Sequence, residues 1–565
     1  MILALDIETS GTEMDVFKDR ILLTSVVQQG GDGQREFLFD TDEYPDWFLE
    51  ALQDDNVVKL IHNAAFDLKF IQHRFGVAAK NVWDTLAIER LLTAGRGFAC
   101  DLESVMWRRF QKKLDKSVRH NFSRGQASDR EREYCLEDSR SLFPLWMQQV
   151  KEIKANGQMV AARLENGMGA VVADMELTGI GFDLDLWNRY VGVIQEKRDA
   201  IELDVVCRLG VPYTNDMFGG IKPSIRLSQR DKIVEVLAAK GINLKSYGSD
   251  DLQFYIHYSK DKDKAEIVHL ILEFKKWDKA LDWEYDKKVH PTTGRIHASF
   301  NPQGSDCFRF TASNPNMQQV ATPFSDDLNF RHLFRARDGY TFVGADYNQI
   351  ELRILAEVTK DPDYIAAFRD GLDLHKMAAE KVLGRSLTLK SDRNLGKAVN
   401  FGIAAYGGGV KALMGSAADY GIFLTEKEAA AYVSAIKWGN VTIERWGRQV
   451  YQDMQQYGYI QTPMGHRRYL ANEMRETVAR NTHIQPFAAG IIKEAIVPIF
   501  WRLRETCGDA HVVLQVHDEL LLECKEGESS KVQDIVVSEM KRAGEHWLKA
   551  VPVEVDSYIS KTWEK

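Results

Sequence analysis

Two acidic segments, 172 residues apart, set the strongest constraint on how this 565-residue chain can fold. In the first, Tyr340 to Ala345 is an apolar, β-branched run that reads as a strand, with Asp346 at its end and a helix predicted over Gln349 to Glu357. In the second, His511 to Val516 and Leu520 to Glu523 flank His517-Asp518-Glu519, the pattern of a hairpin with an acidic turn. Such a tip can present Asp518 beside Asp346 despite the large sequence distance. Taken alone, His-Asp-Glu is an ordinary hairpin turn, and Glu519 reads as a neighbouring, non-essential acid. The length exceeds one core and suggests two to four domains. No Gly-rich or Pro-rich linker separates them.

Composition excludes little: 44% hydrophobic and 27% charged residues are ordinary for a globular chain. A net charge of −9 argues weakly against a polyanionic partner. The distribution weighs more, with basic clusters at Arg108-Arg109, Lys112-Lys113 and Arg467-Arg468. Six scattered cysteines show neither zinc-ligand spacing nor a dense disulfide pattern, as in reduced cytosolic proteins. The first residues, MILALDIETS, read as a strand rather than a signal peptide. No apolar run is read as membrane-spanning.

In the amino-terminal third, Met1 to Leu5, Ile21 to Gln28 and Val57 to Ile61 read as strands, with a helix from Leu68. Asp6 and Glu8 are two apart at a strand end and can point to one side. Asp67 follows the third strand, and Tyr134 and Asp138 share one helix face at i, i+4. Carboxylates from separate segments suit a two-metal hydrolase, and hard oxygen ligands suit magnesium or manganese. Tyr134 could orient the attacking water or the scissile phosphate. Singly, each acid reads as a surface group or a helix cap. As an ordered set they resemble the DEDD exonucleases of the tyrosine subtype: Asp6 and Glu8 match the first motif, Asp67 the second, Tyr134 with Asp138 the third. The resemblance implies an RNase H-like 3'-5' exonuclease domain over residues 1–150. Asp84 is assigned a structural or supporting place.

Farther on, Arg393, Lys397 and Phe401 fall at i, i+4 and i+8 of a helix predicted over 391–404. This segment, Val343 to Arg353 and Val516 to Glu519 together resemble a family A, bacterial DNA polymerase I-like DNA polymerase. The compact domain plan is similar to that of bacteriophage replicative enzymes. The implied fold class is α/β and α+β multidomain, an exonuclease followed by a right-hand polymerase. Its expected parts are a helical connection and thumb (151–300), a first palm segment (301–358), fingers (359–480) and a second palm segment (481–565).

The resemblance implies template-directed DNA synthesis with 3'-5' proofreading, and two Mg2+ ions at each site, Mn2+ being an alternative. Asp346, Asp518 and the Tyr347 carbonyl would be metal ligands in the palm. Arg393, Lys397 and His375 would contact the triphosphate, with Lys397 a general acid toward pyrophosphate. Phe401 would stack near the incoming sugar and base; a phenylalanine there points to poor use of dideoxynucleotides. Glu351 would fill the space of a 2'-hydroxyl. Gln349, Arg309, Gln318, Asn481, Gln485 and His517 would contact primer or template, while Lys222, Lys275, Lys276 and Lys279 are duplex-phosphate candidates that read equally as a solvated face. Trp563 is given a core role.

Three departures from the family pattern stand out. Ala405 occupies the place of the usual tyrosine four residues after Phe401, and Tyr406 follows; a local bulge could restore its ring near the template base. Gln485-Pro486-Phe487-Ala488 replaces Gln-Gly-Thr-Ala, with the proline suited to a first helical turn. Gly465-His466-Arg467-Arg468 replaces Gly-Arg-Arg-Arg. No segment ahead of Asp6 is expected to carry a flap-type 5' nuclease. The short stretch between Asp183 and Arg295 argues against a thioredoxin-type processivity factor.

Primer–template DNA and deoxynucleoside triphosphates are the implied partners, with a replicative helicase or single-stranded DNA-binding protein as further candidates. A monomer without membrane contact is expected. It would act in a bacterial host's cytoplasm if phage-encoded, and otherwise in a soluble intracellular or organellar compartment. The alternatives are a DNA exonuclease, or a replisome DNA-binding scaffold, with an inactive polymerase half.

Overall fold

The computed structural model describes every residue except 12–13, 31–32, 41–43, 116–126, 216–220, 321–323, 326–327, 388, 471–472 and 565, and the side chains of Asn215, Ile221 and Lys390. It forms two compact units. The larger comprises Met1–Gly181, His290–Val320 and Phe334–Lys565; the smaller comprises Phe182–Val289 with Ala321–Leu333.

Two sheets organise the larger unit. The first has five strands in the order Gly33–Asp40, Ile21–Gly30, Ile2–Thr9, Val58–Ile61, Val82–Asp84. Its first three strands pair antiparallel and its last two join in parallel. The opening strand runs to Thr9, beyond the predicted Leu5, so Asp6 and Glu8 lie inside it opposite Ser25 and Leu23. Strand Gly33–Asp40 escaped the sequence reading because it is an exposed edge with no clear apolar alternation. Helix Asp129–Ala155 packs over this sheet and starts with a reciprocal capping box between Ser128 and Glu131.

The second sheet is antiparallel, in the order Ala510–Val516, Glu519–Lys525, Tyr340–Tyr347, Val555–Ser560. Asp346 pairs with Glu519 on one side and Asp556 on the other, which places it next to the hairpin tip. The second hairpin strand starts at Glu519, so the turn is His517-Asp518 and His517 takes a left-handed φ of 55°. Trp563 is buried, as assigned. Its indole N–H donates to Glu519 Oε1 at 3.1 Å, and Tyr558 donates to the same oxygen at 3.1 Å. Glu519 is thereby fixed as a structural acid.

Helix Glu476–Thr506 corrects two readings. Its 31 residues are long and apolar enough to cross a membrane, which the sequence reading did not find. That reading sought an unbroken apolar run, whereas this helix carries Lys493 and Glu494 among its apolar residues. Of its most apolar window, 72% is buried inside the protein, as in a core helix. Pro486 lies in the interior of this helix and not in its first turn. Its missing N–H costs one helical hydrogen bond, which burial of Ile484, Phe487 and Ile491 offsets.

The smaller unit packs helices Leu184–Leu209, Arg230–Ala239, Ser249–Tyr258 and Lys262–Leu281 around Val205, Leu237, Leu252 and Ile271. Within it, Lys275 turns inward and donates to the Tyr247 carbonyl at 2.5 Å. That lysine braces the unit.

Candidate active sites

The first carboxylate centre forms on the five-stranded sheet. Asp6, Glu8 and Cys135 place ligand atoms within 4.8 Å of one another. Asp67, in the first turn of helix Ala64–Phe75, accepts the Ile7 backbone N–H at 3.1 Å. Burial pushes the Asp67 carboxyl well up, and the charges of Asp84 and Glu8 add to this. Tyr134 hydrogen-bonds Asp138; burial, then the Asp138, Glu8 and Asp6 charges, push its phenol up and keep it protonated. Asp6 and Glu8 thus share one cluster, Asp67 joins it through the Ile7 N–H and the Glu8 charge, and Tyr134 links Asp138 to both acids.

Cys135 was not singled out from sequence. Its thiol donates toward Asp6 Oδ2 at 3.9 Å, and burial together with the Asp6 and Glu8 charges holds it neutral. It acts as a wall of the site. Asp84 accepts four backbone N–H groups, from Asn63, Ala64, Leu86 and Ala87. It caps helix Thr85–Thr93 and anchors the start of the helix that carries Asp67.

The second centre lies at the end of the four-stranded sheet. Asp346 and Asp518 are hydrogen-bonded neighbours, and the Tyr347 backbone N–H donates to Asp518 O at 3.3 Å. Burial first, then the charges of Asp346 and Glu351, push the Asp518 carboxyl up to about 7. Crowded carboxylates held above their ordinary range suit hard divalent cations, which relieve the repulsion. Both centres pass this test. The Tyr347 side chain points elsewhere, its hydroxyl donating to Met540 O at 2.6 Å.

A cationic helix lies in the segment between the two acids. Helix Lys390–Val399 packs against helix Leu374–Leu383 so closely that a Cβ on Gly396 would lie 1.8 Å from the His375 carbonyl oxygen. Arg393 Nε donates to Asp373 Oδ2 at 2.6 Å, and Lys397 is half-buried and forms no ion pair with any described residue. His375 Nδ1 accepts from Asn400 Nδ2 at 3.1 Å. Burial, then the Arg393 and Lys397 charges, lower its pKa to about 4. The ring is therefore neutral with its proton on Nε2, a donor suited to an anionic oxygen. Phe401 packs on it at 5.7 Å.

Beyond Val399 the predicted helix changes character, because Asn400–Ala405 is a π-helix. A π turn takes one residue more than an α turn. Tyr406 thus arrives where the fourth residue after Phe401 would stand in an α-helix, and the offset seen in the sequence is absorbed. Tyr364 OH donates to Asn400 Oδ1 at 2.9 Å, and Asn400 Nδ2 donates to Leu374 O at 3.0 Å, so the first π residue is held on both sides.

Tyr406 OH donates to Glu351 Oε2, Arg309 Nη2 donates to Glu351 Oε1, and Gln485 Nε2 donates to Tyr406 OH at 3.3 Å. Four predicted contact residues thus form one network. Gln318 Nε2 donates to the Gln515 carbonyl at 3.2 Å, and Gln515 Nε2 donates to the His517 carbonyl at 2.5 Å. Gln318 therefore positions the hairpin. Gln349 and Asn481 each bury an amide oxygen without a hydrogen-bond partner among the described residues.

With this geometry established, comparison with known proteins is decisive. Residues 249–565, more than half the chain, match DNA polymerase family A. The chain belongs to this family. Residues 2–154 match a 3'-5' exonuclease domain. This family A chain is a DNA-directed DNA polymerase with a 3'-5' exonuclease domain, and it synthesises DNA on a template with proofreading.

It is 29% identical to DNA polymerase I of Aquifex aeolicus over 100% of this chain and 96% of that protein. It is 28% identical to DNA polymerase I of Geobacillus stearothermophilus (76% of this chain, 49% of that one) and to the thermostable DNA polymerase I of Thermus aquaticus (71% and 48%). The chain therefore spans about half the length of those two relatives. A solved structure described as the POL domain of Pol1 from M. smegmatis in complex with DNA primer-template and dNTP shares the fold. Its TM-score is 0.81 at 22% identity, covering 100% of this chain and 95% of that one.

Proposed function

We propose that the polymerising centre is Asp346 with Asp518, and that Arg393, Lys397 and His375 hold the triphosphate of the incoming nucleotide. The observation that carries this reading is the Glu351–Tyr406 hydrogen bond, which ties the residue that closes the π turn to Glu351, whose charge reaches Asp518. Two Mg2+ ions at each centre, replaceable by Mn2+, would lower the pKa of the attacking hydroxyl and neutralise the leaving group. Lys397 donates a proton toward pyrophosphate, His375 Nε2–H binds a phosphate oxygen, and Phe401 supports the sugar. Asp6, Glu8, Asp67 and Asp138 are the ligand set of the editing centre, and Tyr134, kept protonated, orients the water or the scissile phosphate. This is the tyrosine subtype of DEDD exonuclease.

The proposed division into exonuclease, connection and thumb, palm, fingers and second palm segment follows the predicted boundaries. The bacteriophage replicative type, and with it a bacterial host's cytoplasm, rests on domain plan alone. Primer–template DNA and deoxynucleoside triphosphates are the proposed substrates of a monomer, and a helicase or single-stranded DNA-binding protein its further partners.

A labelled primer on a longer template, with magnesium, tests the whole reading. Extension with all four deoxynucleotides and stepwise 3' shortening without them are expected; binding with neither reaction would leave only the scaffold. Glu351→Ala is expected to raise ribonucleotide incorporation about tenfold or more, since it opens the space of the 2'-hydroxyl. Glu351→Gln keeps the volume and should keep most of the discrimination. Equal sugar selectivity in Glu351→Ala and the parent enzyme would remove this role.

A further inference from the structure

Arg480 is a fully buried cation outside both carboxylate centres, in the second turn of helix Glu476–Thr506. Its Nη1 and Nη2 donate to the two Glu444 oxygens at 3.1 Å each, a bidentate pair, and Nη2 also donates to Glu476. Glu444 belongs to helix Val441–Tyr457, so the guanidinium ties two helices together.

Two glycines clear the room it occupies. A Cβ on Gly447, in the same helix as Glu444, would stand 2.0 Å from Arg480 Cζ. A Cβ on Gly407 would stand 2.8 Å from Arg480 Nε. Gly407 follows Tyr406 directly, takes a left-handed φ of 71°, and donates its N–H to Ile403 O at 2.7 Å. The guanidinium thus packs on the backbone where the chain leaves the π turn.

Tying two helices does not by itself explain this seat. Arg480 Nε is buried with no hydrogen-bond partner among the described residues. A buried N–H left unpaired destabilises a fold, so a site that keeps one calls for another reason. The neighbouring contacts supply it. Helix Glu476–Thr506 holds Tyr406 at both ends, its backbone through Arg480 and Gly407 and its hydroxyl through Gln485 Nε2 at 3.3 Å. That hydroxyl donates to Glu351 Oε2, while Arg309 donates to Oε1. Hydrogen bonds weaken steeply with misalignment, so a small displacement at Gly407 is felt at Glu351.

We propose that Arg480 is a positioning residue for sugar selection: by seating Gly407 it fixes Tyr406, and by fixing Tyr406 it holds the Glu351 carboxylate in the space of a 2'-hydroxyl. The proposal rests on the reading of Glu351 as the group that excludes ribose.

Single-turnover incorporation of a deoxynucleotide and of the matching ribonucleotide by the full chain, opposite one template base, tests it. Arg480→Met keeps the length of the side chain and removes its fork and charge. It is expected to lower discrimination against the ribonucleotide about fivefold or more, with 3' shortening at the parent rate. Gly447→Ala drives a Cβ into the guanidinium from a helix that carries none of the proposed nucleotide contacts, and should shift the ratio in the same direction. Arg480→Lys keeps the charge but not the fork and should fall between Arg480→Met and the parent. Tyr406→Phe removes the bond to Glu351, and in that background Arg480→Met should change the ratio no further, a result that general loosening of the fold would not give. An unchanged ratio in both Arg480→Met and Gly447→Ala, or full additivity of Arg480→Met with Tyr406→Phe, would overturn the positioning role. Should Arg480→Met fail to fold, seen as lost shortening, Gly447→Ala and its cycle with Tyr406→Phe decide the question. Glu351→Ala in parallel separates the two readings. Unchanged selectivity there removes the sugar filter and the proposal with it; altered selectivity there beside an unaltered Arg480→Met removes only the part given to Arg480.

Discussion

Asp518→Ala is expected to reduce primer extension about a thousandfold while single-strand shortening continues at the parent rate. Asp518 stands at a two-residue hairpin tip against Asp346, in a place where burial and its neighbours already push its carboxyl up to about 7. Removing it halves the acid pair proposed to hold the cations at the reacting phosphate. The tip itself should survive, because its conformation is held by the ladder from Val516↔Glu519 onward and by the left-handed His517. The editing centre sits on a different sheet and shares no residue with this one. The reciprocal variant, Asp6→Ala, should therefore lose shortening and keep extension. Single-turnover extension of Asp518→Ala within tenfold of the parent would exclude Asp518 as a metal ligand.

The largest stability effect is expected at Lys493→Met, about 3–5 kcal/mol destabilising. Lys493 Nζ lies 2.6 and 2.8 Å from the two Glu165 oxygens, His466 Nε2 lies 2.9 Å from Oε1, and all three side chains are fully buried. Burial alone would push the Glu165 carboxyl up, but the Lys493 charge and the His466 hydrogen bond hold it below its usual 4.5. Without Lys493 a buried carboxylate loses its counter-charge. Glu165→Leu combined with Lys493→Met should recover most of the loss, because an apolar pair of similar volume needs no desolvation.

A carboxyl whose folded pKa is depressed contributes stability above its unfolded pKa and loses it as pH falls through the folded value. The parent should therefore surrender this contribution only below about pH 4.5, and the double variant should show no such step. Thermal unfolding followed across that range measures both. Equal stability of Lys493→Met and the double variant would show that the pair is not coupled. Glu165 and Lys493 join helix Met159–Thr178 to helix Glu476–Thr506, and His466 adds the turn before Arg467, so their loss should loosen this packing.

Much of both centres was legible in the sequence, because their geometry is local. Asp6 and Glu8 are two apart on a strand, Tyr134 and Asp138 four apart on a helix, and Asp518 is the turn of a hairpin. In each case the backbone period fixes which side chains share a side. Arg393, Lys397 and Phe401 were found in the same way. Where the local rule was applied to a wrong register it failed. Pro486 was placed in a first turn because nothing nearby marked a helix start ten residues earlier at Glu476. The edge strand Gly33–Asp40 was missed because an exposed strand has no apolar alternation to show.

Residue periods and motif order were enough for the two acid sets, most of the strands and helices that carry them, and the resemblance that names the family. How they are held became visible in the packed fold. It showed that a π turn compensates for the displaced Tyr406, and that Glu351 is bound by Arg309 and Tyr406 at once. It also showed that Gln318 braces a hairpin, that a buried lysine neutralises Glu165, and that Arg480 packs against Gly407. Sequence distance explains the difference. A periodic pattern reports which residues of one element point together, whereas a contact between Glu165 and Lys493 arises only after hundreds of intervening residues have packed, and leaves no period behind.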